Sequence, residues 1–133
     1  MKVLNFGSLN LDYVYQVESI LIPGETQASK SRQIFCGGKG LNQSIALAKA
    51  GIPVYHAGLI GEGGEALLEV CKENGVNVEF IRQIPGPCGH TVIQVDRNGQ
   101  NCILLFGGSN RSMTKEFVDS VLDSFDEGDI ILL

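Results

Sequence analysis

Gly37-Gly38-Lys39-Gly40 stands directly in front of an amphipathic stretch, LNQSIALAKA over 41–50, and constrains the fold more than any other segment. Leu41, Ile45 and Ala48 fall at i, i+4 and i+7, one face of a helix, and Gly51 and Pro53 supply its stop. A glycine run that feeds straight into a helix puts the helix N-terminus at a tight turn and lets backbone or ligand come close to it. A helix start offers unpaired N–H groups and a partial positive charge. Lys39 and Asn42, three apart, share the first turn and make a donor-rich corner for hydroxyls or an anion. This is not a Walker A loop, because Lys39 is followed by Gly40 and no glycine stands five before Gly38. Nor is it G-x-G-x-x-G, since position 43 is Gln.

Around this junction the apolar runs alternate with helical patterns. Residues 2–8, 54–60 and 129–133 read as buried strands, and 65–74 and 115–124 as helices, the latter capped by Thr114. That order implies βαβ units and a parallel sheet. A second set of segments is more polar. Residues 10–17 and 26–36 read as one pair of strands; 90–96 and 101–106 form another, joined across Asn98-Gly99. These predict a small accessory sheet. Turns are expected at 61–64 and at Pro85-Gly86-Pro87, and a loop at 107–110.

Charge and composition narrow the function. Ten Lys and Arg against 15 Asp and Glu give a formal charge of −5, against a nucleic-acid partner or a polybasic membrane anchor. No run of 18 apolar residues and no secretory pattern occurs. The four cysteines, at 36, 71, 88 and 102, include no C-x-x-C pair and lie far from paired histidines, so a zinc site is not expected. The expectation is a soluble, reduced, cytoplasmic chain without a resident metal. Its last residues, Ile130-Ile131-Leu132-Leu133, read as an apolar strand with no turn or cap beyond it, so a longer natural protein is expected.

Asn10 and Asp12 lie at i and i+2 of a strand and point to one face. An amide beside a carboxylate can grip a diol, the carboxylate acting as acceptor. Gly61-x-Gly63-x-x-Ala66 with Glu79 beyond it imitates a dinucleotide fingerprint, but it follows a strand, a hairpin and a helix rather than opening the fold. His90, a possible general base or ligand, reads more simply as structural. Cys36, beside Gly37, is the one thiol placed to line a pocket. No Ser-His-Asp or Cys-His set can be assembled.

Taken together, Gly7-Ser8-Leu9-Asn10-Leu11-Asp12, Pro23-Gly24-Glu25-Thr26 and Gly37-Gly38-Lys39-Gly40-x-Asn42-Gln43-x-x-Ala46-x-Ala48 resemble the N-terminal signature of the ribokinase-like carbohydrate kinases. Gly58-Leu59-Ile60-Gly61, the later hairpin and Gly108-x-Asn110 extend the resemblance over all 133 residues. It implies an α/β fold: a three-layer parallel sheet, incomplete here, within one domain over 1–133. The small β-sheet lid would come from 10–17, 26–36, 90–96 and 101–106. It implies that Asn10, Asp12, Gly38, Lys39 and Asn42 bind sugar hydroxyls. MgATP would be the co-substrate, activation by a monovalent cation is left open, and the lid would mediate a homodimer. The Gly-Gly-Lys-Gly-x-Asn-Gln form is more similar to the ribokinase branch than to nucleoside kinases or phosphofructokinases. The family's second signature, a Gly-Ala-Gly-Asp-type loop with the catalytic base, is absent, so no catalytic residue is expected here and this chain alone should be inactive. The alternatives are a nucleoside or phosphosugar kinase of the same family, or a non-catalytic sugar-binding or dimerising module. A phosphorylated substrate would call for cations in the lid, where Lys30, Arg32 and Arg97 are the candidates.

Overall fold

A computed structural model describes all 133 residues. Four parallel strands form the main sheet in the order β5-β4-β1-β8: β1 (Val3–Phe6), β4 (Val54–Glu62), β5 (Asn77–Pro87) and β8 (Ile130–Leu132). The second sheet has the order β3-β2-β6-β7, built from β2 (Asn10–Gln16), β3 (Ser31–Gly37), β6 (His90–Val95) and β7 (Asn101–Phe106). Within it β2–β3 and β6–β7 are antiparallel, as expected, and a parallel β2–β6 pairing joins the two hairpins.

Helices α1 (Lys39–Lys49) and α2 (Glu65–Glu73) lie on one face of the main sheet and α3 (Lys115–Leu122) on the other. The alternation of β1 divides the core accordingly. Val3 joins Leu41, Val54, Ile60, Leu67 and Cys71 on the α1/α2 side, whereas Leu4 joins Ala57, Leu59, Phe117 and Val121 under α3. Thr114 caps α3 by accepting a hydrogen bond from the Phe117 N–H at 3.1 Å.

Several boundaries differ from expectation. The strand expected over 26–36 begins at Ser31. Gly61 and Glu62 continue β4 instead of turning. Pro85-Gly86-Pro87 closes an eleven-residue β5 rather than forming a turn, tolerable because β5 is an edge strand with a free side. The helix expected over 41–50 begins two residues earlier, so Lys39 and Gly40 are helical. Residues Gly108–Ser112 form a 3₁₀ turn instead of a loop. β8, expected to be buried, lies at the sheet edge with Ile130 and Ile131 half exposed.

Candidate functional site

β1 ends at Phe6, and Gly7-Ser8 carries the chain past the N-terminus of α1 into the second sheet. The crossing is close: a Cβ on Gly40 would sit 2.5 Å from Gly7 Cα, and one on Gly7 would meet Gly40 Cα at the same distance. Gly38, at φ 106°, holds the backbone sign that L side chains rarely adopt and starts the helix against Ser8. The amides expected to be free for a ligand are partly occupied. Leu41 N–H donates to Ser8 O at 3.1 Å and Gly40 N–H to Ser8 Oγ at 3.5 Å. The donors this corner presents outward therefore include side chains, Lys39 and Asn42, rather than backbone alone.

Beneath the corner lies a buried polar chain. Asn5 Nδ2 donates to Gly40 O and to Ser44 Oγ, both at 2.9 Å, and Ser44 Oγ lies 2.7 Å from His56 Nδ1. His56 Nε2 is 3.1 Å from Gly7 O. A carbonyl can only accept, so Nε2 carries the proton and Nδ1 accepts from Ser44. Burial pushes the His56 pKa down to about 4, partly opposed by the Gly7 carbonyl, so the ring is neutral near pH 7. The chain ties β1, α1 and β4 together under the glycine corner.

Above the corner, a cavity of about 660 Å³ opens between α1 and the second sheet. Asn10, Asp12, Gly38, Lys39 and Asn42 all line it. Ser8, Thr91, Asn110 and Arg111 complete its polar wall, and Ile93, Ile103 and Leu105 its apolar one. The pairing explains the division of residues. Asp12 lies opposite Thr91, Thr91 opposite Leu105, and Ile93 opposite Ile103, so these share one face of the sheet. Asp12 Oδ1 accepts from Thr91 Oγ1 at 2.7 Å, and the missing side chain of Gly37 leaves room for Oδ2. Asn110 fixes the other end. Its Oδ1 accepts from Leu9 N–H at 3.0 Å, while its Nδ2 donates to Leu9 O at 3.2 Å and Asn10 Oδ1 at 2.7 Å. Asn10 Oδ1 is thus an occupied acceptor, and its amide nitrogen remains free to donate.

The remaining candidates fall elsewhere. His90 is on the opposite face of the sheet, Nδ1 2.8 Å from Cys88 O and its ring edge-on to Tyr13 at 5.9 Å. It lines a separate hollow of about 390 Å³ with Leu11, Tyr13, Tyr15, Glu62, Pro87, Cys88 and Val92. Cys36, opposite Leu11, shares that face rather than the cavity; burial, then the Asp12 charge, pushes its thiol pKa up, which makes it less nucleophilic. All four cysteines are free. Lys30 and Arg97 both pair with Glu18, and Arg32 lies over the Tyr13 ring, so none of the expected lid cations faces the cavity. Thr91, Asn110 and Arg111 were not singled out by the spacing of the sequence as ligands, although Gly108-x-Asn110 belongs to the resemblance. The sequence signal for Thr91 is that it is the one polar residue on a face of β6 otherwise formed by Ile93 and Val95.

A polar cavity at the carboxyl end of a parallel strand, beside a helix N-terminus and covered by a small sheet, is the arrangement in which α/β proteins commonly place small-molecule sites. The chain belongs to the pfkB family of carbohydrate kinases, whose pattern matches residues 1–133. It is 34% identical over 133 residues to a ribokinase of Arabidopsis thaliana, covering 96% of this chain and 35% of that protein. The crystal structure of a Thermotoga maritima ribokinase superposes with a TM-score of 0.89 at 32% identity, covering 98% of this chain and 43% of that one. The Arabidopsis thaliana ribokinase complexed with ribose and ATP superposes with a TM-score of 0.76 at 31% identity, covering 90% and 42%. The chain thus spans less than half the length of the relatives it matches.

Proposed function

We propose that residues 1–133 are the sugar-binding part of an ATP-dependent carbohydrate kinase, most like ribokinase, that transfers the ATP γ-phosphate to a sugar hydroxyl. The observation that carries this reading is the single cavity that gathers Asn10, Asp12, Gly38, Lys39 and Asn42. Asp12, anchored by Thr91, accepts hydroxyl hydrogens; Asn10, Lys39 and Asn42 donate to hydroxyl oxygens. Ile93, Ile103 and Leu105 cover the apolar face of a sugar ring and exclude water. The ribose and ATP bound by the Arabidopsis relative support the same substrate class and co-substrate here.

In this reading the protein orients the acceptor hydroxyl, and the carboxylate that removes its proton lies outside these residues. Magnesium would enter with the ATP phosphates, since it is commonly held by one or two carboxylates together with substrate phosphates. The whole span 1–133 acts as one unit, with β2, β3, β6 and β7 as the lid. We propose that two lids pair in a homodimer. β7 is an edge strand whose Ile103, Leu104, Leu105 and Phe106 are all more than half exposed, an apolar edge that a second copy would cover. No helix is long and apolar enough to cross a membrane. Free thiols at all four cysteines suit the cytoplasm.

The test is coupled ADP release by the protein at its natural length, with ribose, fructose, 2-keto-gluconate, adenosine and fructose 6-phosphate. Sugar-dependent turnover that Asp12→Ala lowers about a hundredfold in kcat/KM, on the order of 3 kcal/mol, supports the reading. Turnover of adenosine alone, or kinetics indifferent to Asp12, refutes it.

A further inference from the structure

The cavity carries more positive charge than the recognition of sugar hydroxyls requires. Asp12 is the one acid that lines it, against Lys39 and Arg111, so its wall carries a net +1 in a chain of net −5. Neither cation has a partner. The four ion pairs of the molecule are Lys2–Asp129, Lys30–Glu18, Arg97–Glu18 and Lys115–Asp119. Lys39 also stands where the helix dipole disfavours it, as the first residue of α1, with no acid in that turn.

Arg111 is positioned rather than merely solvated. The 3₁₀ turn that bears it is pinned on both sides. Ser109 Oγ donates to Leu59 O at 3.2 Å and accepts from Gly89 N–H at 3.3 Å, and Asn110 binds Leu9 and Asn10. The Arg111 side chain then folds over Gly107. A Cβ there would stand 2.6 Å from Arg111 Cγ and 2.8 Å from Nε. Gly107 has φ −63° and ψ −39°, a conformation any residue adopts, so its backbone gives no reason for glycine. The room is filled by the arginine stem, which runs along the cavity wall.

We propose that Arg111, with Lys39, is an anion-recognition element of this site, a specificity-determining residue for an anionic group beside the sugar hydroxyls. This rests on the reading of the cavity as a sugar site. Two sources share the chemistry: a carboxylate or phosphate carried by the sugar itself, or the phosphoryl group in transfer. Arginine suits either through its planar, always-charged fork.

Calorimetric titrations of the natural-length protein, without nucleotide, use ribose, 2-keto-gluconate and fructose 6-phosphate against wild type, Arg111→Ala, Arg111→Lys and Gly107→Ala. Coupled kinetics accompany them. An anionic sugar is the source if one of the two charged sugars binds tightest and Arg111→Ala weakens it at least tenfold while ribose affinity is unchanged. The phosphoryl group is the source if sugar affinities are unchanged and kcat falls at least tenfold at constant sugar KM. In either case Arg111→Lys recovers part of the loss, and Gly107→Ala, which displaces the arginine, reproduces part of it. The proposal is overturned if Arg111→Ala changes neither charged-sugar affinity nor kcat while Asp12→Asn still abolishes sugar binding. If Asp12→Asn leaves binding intact as well, the sugar site itself is refuted, and this proposal with it.

Discussion

Asn110 shows how one side chain can set a site without being its most chemically active member. Its amide closes three hydrogen bonds, two to the Leu9 backbone and one to Asn10 Oδ1, and Asn110→Ala leaves the Leu9 N–H and carbonyl without theirs. That should cost about 2 kcal/mol of stability by chemical denaturation and weaken sugar binding about tenfold through a misplaced Asn10. His56 makes a pH-dependent counterpart. Its folded pKa, about 4, lies below the ordinary 6.5, so the unfolded state binds the extra proton first as pH falls. Its contribution is full above pH 6.5 and is lost between there and pH 4, a drop of roughly 3 kcal/mol at 1.36 kcal/mol per pKa unit. Denaturant midpoints across that window should fall steeply for wild type and less steeply for His56→Asn. Equal slopes would mean the ring is not held neutral. Asn10 and Asp12 were legible from their i, i+2 spacing. Asn110 and Arg111 were not, because a turn a hundred residues away carries no periodicity to say which strand it meets.

The glycine junction decides the geometry of α1. Gly40→Ala would drive a methyl into Gly7 and Ser8, whose backbone atoms lie within 2.5 Å of the ideal Cβ. Helix and strand must then separate, which should cost about 1–3 kcal/mol and weaken sugar binding with it, since Lys39 and Asn42 ride on the first turn. Thr114→Ala removes only a cap at α3, on a residue that does not line the cavity. It should lower stability by about 1 kcal/mol, read in a thermal melt, with sugar affinity untouched. The contrast separates damage to the site from damage to the fold. At this scale the helices, β1 and both hairpins could be read from period and turn chemistry, whereas the Ser31 start of β3 and the continuation of β5 through Pro85 could not. Both depend on which neighbour a strand finds, and polar or proline-bearing segments are admitted at a sheet edge.

In the whole molecule, two sheets share one chain and the cavity opens between α1 and the second of them. The parallel sheet with helices on both faces followed from the alternation of strands and helices. The β2–β6 pairing that turns two hairpins into one sheet did not, since parallel partners are far apart in sequence and no turn announces them. The apolar edge strand β7 is where the proposed second copy would sit. Leu104→Asp, on a side chain 71% exposed, should shift a dimer to monomers in sedimentation velocity without lowering the melting temperature of the monomer. A wild-type protein that sediments as a monomer at all concentrations would contradict the lid pairing. The most direct measurement of the whole scheme is a crystal structure of the protein grown with ribose and with each charged sugar of the panel. Density for a sugar between Asp12, Asn10 and Asn42, its ring over Ile93 and Ile103, is the expected result. Density in the hollow beside Tyr13, Tyr15 and His90 instead, with the cavity above Gly38 vacant at saturating sugar, would contradict it.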